Sequence, residues 1–78
     1  MTTIQVCHLD GRQFATNFIG EYGISPFDTW GWVVGCCEHE FECRGDDIDN
    51  RELEDGSEVI TVRGEPVAKW STFIGRAL

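Results

Sequence analysis

Three glutamates spaced two residues apart, Glu38, Glu40 and Glu42, lead into Asp46, Asp47, Asp49, Glu52, Glu54, Asp55 and Glu58. These are ten of the fourteen acidic residues, and only Arg44 and Arg51 interrupt them. The stretch from Glu38 to Glu58 therefore carries −8, which is also the formal charge of the whole 78-residue chain. The flanking segments nearly cancel, so the acid belongs to one region. It implies a localised negative field able to steer a cationic partner. At strand spacing Glu38, Glu40 and Glu42 would stand about 7 Å apart in a line. Such a row can imitate a phosphate backbone and occupy the arginine- and lysine-lined groove of a nucleic-acid-binding protein. All ten residues are partner-binding candidates on this reading. The bland alternative is a solvated face that only confers solubility.

The same residues invite a metal reading. A loop begun at Asp47 puts Asp49 third, Asp55 ninth and Glu58 twelfth, as in an EF-hand, but Arg51 fills the fifth position and Glu52 replaces the sixth-position glycine. For zinc, the candidates are Cys7, His8, Cys36, Cys37, His39 and Cys43; Cys36, His39 and Cys43 have ligand-like spacing, and Cys7 could complete a tetrahedron if the first hairpin packs alongside. Paired CxxC knuckles are missing, and on a strand His39 and Cys43 would stand about 13 Å apart. Buried thiols and a core histidine are the simpler expectation. A metal-stabilised zinc or calcium module is thus the second reading, and no cofactor is called for.

Catalysis finds little to rest on. His8 and His39 could act as bases and Cys7 or Cys37 as nucleophiles, yet no third partner or oxyanion loop is recognisable. The glycines form no phosphate-binding pattern. Trp30, Trp32 and Trp70 lack the basic neighbours of a base-stacking platform and read as core anchors. With six basic residues, scattered, the chain is not expected to bind nucleic acid or an anionic membrane directly. There is no apolar run near the roughly 18 residues of a membrane span. Met1-Thr2-Thr3-Ile4 lacks the basic start of a signal peptide. A cytoplasmic protein with reduced thiols is the expectation.

The elements that must position these residues read as mostly β. A hydrophobic fraction of 41% suffices for one compact domain spanning residues 1–78. Ile4, Val6 and His8, then Phe14, Thr16 and Phe18, predict a hairpin around Leu9-Asp10-Gly11 that pairs Val6 with Phe14 and Ile4 with Thr16. Gly20 to Asp28 reads as a loop. Trp30, Trp32 and Val34 alternate as in a strand. His39, Phe41 and Cys43 alternate in the opposite phase, which predicts a break at Gly35-Cys36-Cys37 and glutamates facing water. Asp46 to Gly56 allows a short helix held by Ile48 and Leu53, or an extended acidic loop. Glu58 to Arg63 and Pro66 to Trp70 predict a second hairpin turning at Gly64-Glu65, with Val62 facing Val67 and Val59 facing Trp70. Ser71 could cap a last helical turn carrying Phe73, Ile74, Ala77 and Leu78.

The fold class expected is therefore a small antiparallel sheet of four to six strands with one or two short helical segments. The function expected is that of a non-enzymatic acidic inhibitor or adaptor occupying a basic protein surface. In size and charge alone the chain resembles small viral inhibitors of restriction, DNA repair and CRISPR systems, and no motif identifies a family.

Overall fold

The computed structural model describes residues 2–74, with side chains for residues 2–72. The elements follow in the order β1 (Thr2–His8), β2 (Gln13–Ile19), α1 (Thr29–Phe41), a 3₁₀ turn (Gly45–Asp47), β3 (Ile48–Glu52), β4 (Glu58–Val62) and β5 (Glu65–Ile74). The strands form one antiparallel sheet ordered β2-β1-β5-β4-β3. This is the small, mostly β architecture that the alternating pattern predicts. Helix α1 lies on one face of it. Ile4 and Val6 from β1, Ile60 from β4, Ala68 from β5, Ile48 from β3, and Val33 and Cys37 from α1 make the buried core between them.

Both hairpins form away from their expected registers, the first by one residue, the second by two beside its turn and by one beyond its bulge. In the first, Val6 pairs with Ala15 and Ile4 with Asn17, in place of Phe14 and Thr16. The turn takes four residues, closed by the His8 N–H to the Arg12 carbonyl and the Gly11 N–H to the His8 carbonyl, both at 2.9 Å, with Gly11 at φ +94°. A bulge opposite Val6 and Cys7 leaves Phe14 as the extra residue. A one-residue slip exchanges the two faces of a strand. Thr16 and Phe18 accordingly end up exposed, whereas Ala15 and Ile19 pack against the core. The bulge rescues Phe14, whose ring lies 5.6 Å from that of Phe41 on the helix.

The second hairpin turns at Arg63-Gly64, with φ of +51° and +84° at the two central residues. Positive φ at both defines a type I′ turn, a two-residue turn whose twist suits a hairpin, placed one residue before the expected Gly64-Glu65. Val62 therefore faces Glu65, and Ile60 faces Ala68. The register break between Ile60 and Thr61 makes Val67 the extra residue, and it too packs against the core. Each bulge thus adds one large apolar side chain beneath the helix.

The segment expected as two short strands is a single helix. Trp30, Val33, Val34, Cys37 and Phe41 recur at helical spacing and all pack into or against the core. The opposite phases of Trp30-Trp32-Val34 and Cys37-His39-Phe41 are what a 3.6-residue period produces when sampled every two residues. Two glycines and the β-branched Val33 and Val34 give this helix poor intrinsic propensity, so burial on the sheet must hold it. The helix expected within Asp46 to Gly56 is instead the 3₁₀ turn followed by β3, because Ile48 pairs with Val62 and is buried at the end of the core. Ser71 caps no helix, since β5 continues through Ile74 opposite Thr2. Ala77 and Leu78 lie outside the described residues.

Candidate partner-binding surface

The correction to α1 redistributes the acidic residues. Glu38, Glu40 and Glu42 do not form a strand-spaced row but surround the C-terminal end of the helix. Glu38 turns back to the chain leaving it, where its Oε2 accepts the Gly45 N–H at 2.9 Å. Glu40 reaches the sheet, its Oε2 2.7 Å from Nε2 of His8. The His8 ring also packs on Phe14 and Phe41, at centroid distances of 4.8 and 5.4 Å, so this pair pins the helix to β1. Glu42 ends the helix in the left-handed conformation, φ +51° and ψ +52°, where glycine is usual.

Beyond the helix, Asp46 and Asp47 lie in the 3₁₀ turn. Asp47 Oδ2 accepts the Arg44 N–H at 3.4 Å and lies 3.5 Å from Nη2 of Arg63. Asp49 and Glu52 extend along β3, and Glu52 stands directly opposite Glu58 on β4. Glu54 and Asp55 occupy the loop between them. The Ser57 hydroxyl and N–H both donate to Asp55 Oδ1, at 2.6 and 2.9 Å, and together they hold its carboxyl below the usual range.

The ten candidates therefore divide by role. Glu38, Glu40, Asp47 and Asp55 are hydrogen-bonded within the fold. Glu42, Asp46, Asp49, Glu52, Glu54 and Glu58 are exposed and, among the described residues, make no ion pair. Several of these stand where a carboxylate is unfavourable. The negative end of the helix dipole receives Glu38, Glu40 and Glu42, while the first turn holds no acid. Glu42 adds left-handed backbone strain. Glu52 and Glu58 are like charges directly opposed across two strands, an arrangement that destabilises a sheet.

The metal-ligand sets do not assemble. Asp47, Asp49, Asp55 and Glu58 are distributed over a turn, two strands and a loop, and Asp47 and Asp55 are already engaged. Among the described residues no three His, Cys, Asp or Glu side chains gather closely enough to hold a metal ion. Cys36 and Cys37, where a break between strands was expected, are consecutive on the helix. Cys37 is fully buried, and its burial pushes the thiol up to about 12. Burial likewise raises the thiols of Cys36 and Cys43. Cys43 Sγ lies 3.9 Å from the Cys37 carbonyl. Thiols held protonated in this way are poor nucleophiles.

All three tryptophans pack against the core, as their setting in the sequence suggested. Trp30 and Trp70 pack with ring centroids 6.2 Å apart, and the Trp70 Nε1–H donates to Asn50 Oδ1 at 3.2 Å, tying β5 to the acidic edge strand. What strand reasoning missed is a cleft of about 380 Å³ between β2 and α1, lined by Phe14, Ala15, Trp32, Cys36, His39 and Glu40. The spacing of Trp32, Cys36, His39 and Glu40, at intervals of four, three and one, could have revealed it once that segment was read as a helix. Among the described residues no helix is long and apolar enough to cross a membrane. No protein-family model matches the chain, no curated protein is detectably similar to it, and no solved structure matches it.

Proposed function

We propose that this protein is a non-catalytic acidic binder that uses the β3 edge and the adjoining end of α1 to occupy a cationic surface on a partner protein. The observation that carries this reading is the placement of the free carboxylates. Fold stability alone would favour lysine or arginine at the helix C-terminus, glycine at position 42 and opposite charges at positions 52 and 58. Carboxylates occur at all of them, within one continuous region of the molecule. Proteins accept such local costs where function requires them. The field of six unpaired carboxylates, reinforced by the helix dipole, suits the arginine- and lysine-rich groove in which a partner binds nucleic acid. Competition with nucleic acid would make it an inhibitor, the role held by acidic viral proteins that block DNA-processing and CRISPR complexes.

The test uses the carboxylates that the fold does not need. Changing Glu42, Asp46, Asp49 and Glu52 to lysine should leave the protein folded and weaken partner binding at least about 100-fold, close to 2.7 kcal/mol. Parent affinity should fall steeply between 50 and 300 mM salt, and the bound partner should lose its nucleic acid. Binding that ignores both salt and the four reversals would sink the proposal.

A further inference from the structure

The sheet's other edge is β2, whose sequence QFATNFI carries no charged residue over seven positions. Among the described residues its outer side is engaged at the Phe18 N–H, which donates to Asn17 Oδ1 at 2.8 Å, and through the Ile19–Ile24 bridge, where the Ile24 N–H donates to the Phe18 carbonyl at 2.8 Å. That bond shows the backbone of Phe18 facing outward. By the two-residue period of a strand, Thr16 turns its N–H and C=O the same way. Edge strands of this length are ordinarily protected by charge, proline or a covering element. Among the described residues nothing of the kind covers Thr16.

Two further features adjoin this edge. The loop from Gly20 to Asp28 leaves Tyr22 96% and Phe27 99% exposed, and Phe18 on β2 itself is 52% exposed. At the opposite end of β2, the cleft lined by Phe14, Trp32 and Cys36 opens beside the helix. One molecule thus presents aromatic projections at one end of an unpaired strand and an apolar recess at the other. An antiparallel twofold would exchange those ends, which is the self-complementarity a symmetric dimer requires.

We infer that β2 pairs with β2 of a second copy of this chain about a twofold axis near Thr16, forming a continuous ten-stranded sheet. Thr16 of each copy exchanges N–H···O bonds with Thr16 of the other. The exposed aromatics of each Gly20–Asp28 loop enter the recess between β2 and α1 of its neighbour. Repulsion between the acidic β3 edges does not oppose a second copy despite the net charge of −8, and the carboxylates nearest the contact are Glu21 and Asp28 of the loop and Glu40 at the recess. Nine strand spacings separate the two β3 edges in such a dimer, about 43 Å, which is several times the roughly 8 Å Debye length at physiological salt.

Sedimentation equilibrium on the full chain alone, at 0.15 M salt from 1 μM to 1 mM, tests this without any partner protein. The parent should shift with concentration to twice its 8.8 kDa mass. A Tyr22→Ser, Phe27→Ser double variant should remain monomeric over the whole range, because side chains so exposed contribute little to the fold. Thr16→Pro removes the outward N–H that lies outside the ladder to β1 and should also give monomer. A parent that is monomeric at 1 mM overturns the inference and leaves the edge to a strand of another protein. A double variant that dimerises like the parent overturns it as well.

Discussion

β2 and β3 close the same sheet at opposite edges, about 19 Å apart at ordinary strand spacing, and they leave it in opposite conditions. β3 is five residues long and carries Asp49, Arg51 and Glu52, with Glu58 facing it from β4. β2 is seven residues long, carries no charge and has exposed aromatics beside it. Charge on an edge strand prevents indiscriminate pairing. Protection alone would predict it on both edges, and more of it on the longer. Its concentration on the shorter edge, in a region that is far more acidic than protection requires, sets the two edges apart electrostatically. On the two proposals above, one edge would meet a cationic partner and the other a second copy.

One core joins the two edges, and breaking it gives the largest effect expected. Ile4 in β1 and Ile60 in β4 are both fully buried, on the uncharged and the acidic side of the core respectively. Truncating either to alanine should cost about 2–5 kcal/mol. Amide hydrogen exchange should then show β2 and β3 losing protection together. Loss confined to the edge nearer the truncated residue would make the two edges independent modules.

Much of this contrast was legible in the sequence, and the parts that were not have physical causes. Charge is a property of composition, so the acidic region survives any error in secondary structure. The sheet was legible from alternation, and Asp10-Gly11 and Gly64 marked its hairpins, although the second turn was expected at Gly64-Glu65 and falls one residue earlier. Register was not, because the bulges at Phe14 and Val67 are set by packing under the helix, and nothing local announces them. The helix was hidden by residues that favour strands or turns, Trp30, Gly31, Val33, Val34 and Gly35. Its own evidence was the change of phase near Cys36 and Cys37, read as a break in a strand. That single misreading turned a cluster of carboxylates around a helix end into a straight row. It also concealed the recess beside β2.

A smaller effect concerns the core thiol between the edges. Cys37 is raised to about 12 from the ordinary 9.0, so the folded protein retains a proton that the unfolded chain releases. The stability this reflects is fully present below pH 9 and is lost as pH rises from 9 towards 12. Urea unfolding midpoints should therefore decline across that window. Cys37→Ala, less stable at neutral pH, should show a shallower decline. Equal slopes in the two proteins would mean that Cys37 is solvated.

Glu42 sharpens the functional side of the contrast. Replacing it with glycine removes left-handed strain and a carboxylate at the negative helix end, and should stabilise the fold by about 1 kcal/mol. The same change should weaken binding of a cationic partner several-fold. Stabilisation without any loss of affinity would take the helix end out of the binding surface and confine that surface to β3 and its loop.

The smallest effect is the most direct probe of why the acidic edge is built as it is. Glu52 and Glu58 oppose each other on β3 and β4, both exposed, and like charges so placed destabilise a sheet by a few tenths to about 1 kcal/mol. Glu58→Lys converts the repulsion into an attraction without touching the core. In a domain of this size a gain of about 0.5 kcal/mol corresponds to roughly 3 °C in Tm. The gain should shrink as salt is added, because both charges face solvent. If Glu58→Lys raises Tm and also lowers partner affinity, the cross-strand repulsion is retained for the field it creates. If it raises Tm and leaves affinity unchanged, Glu58 lies outside the contact, and the binding surface ends at β3.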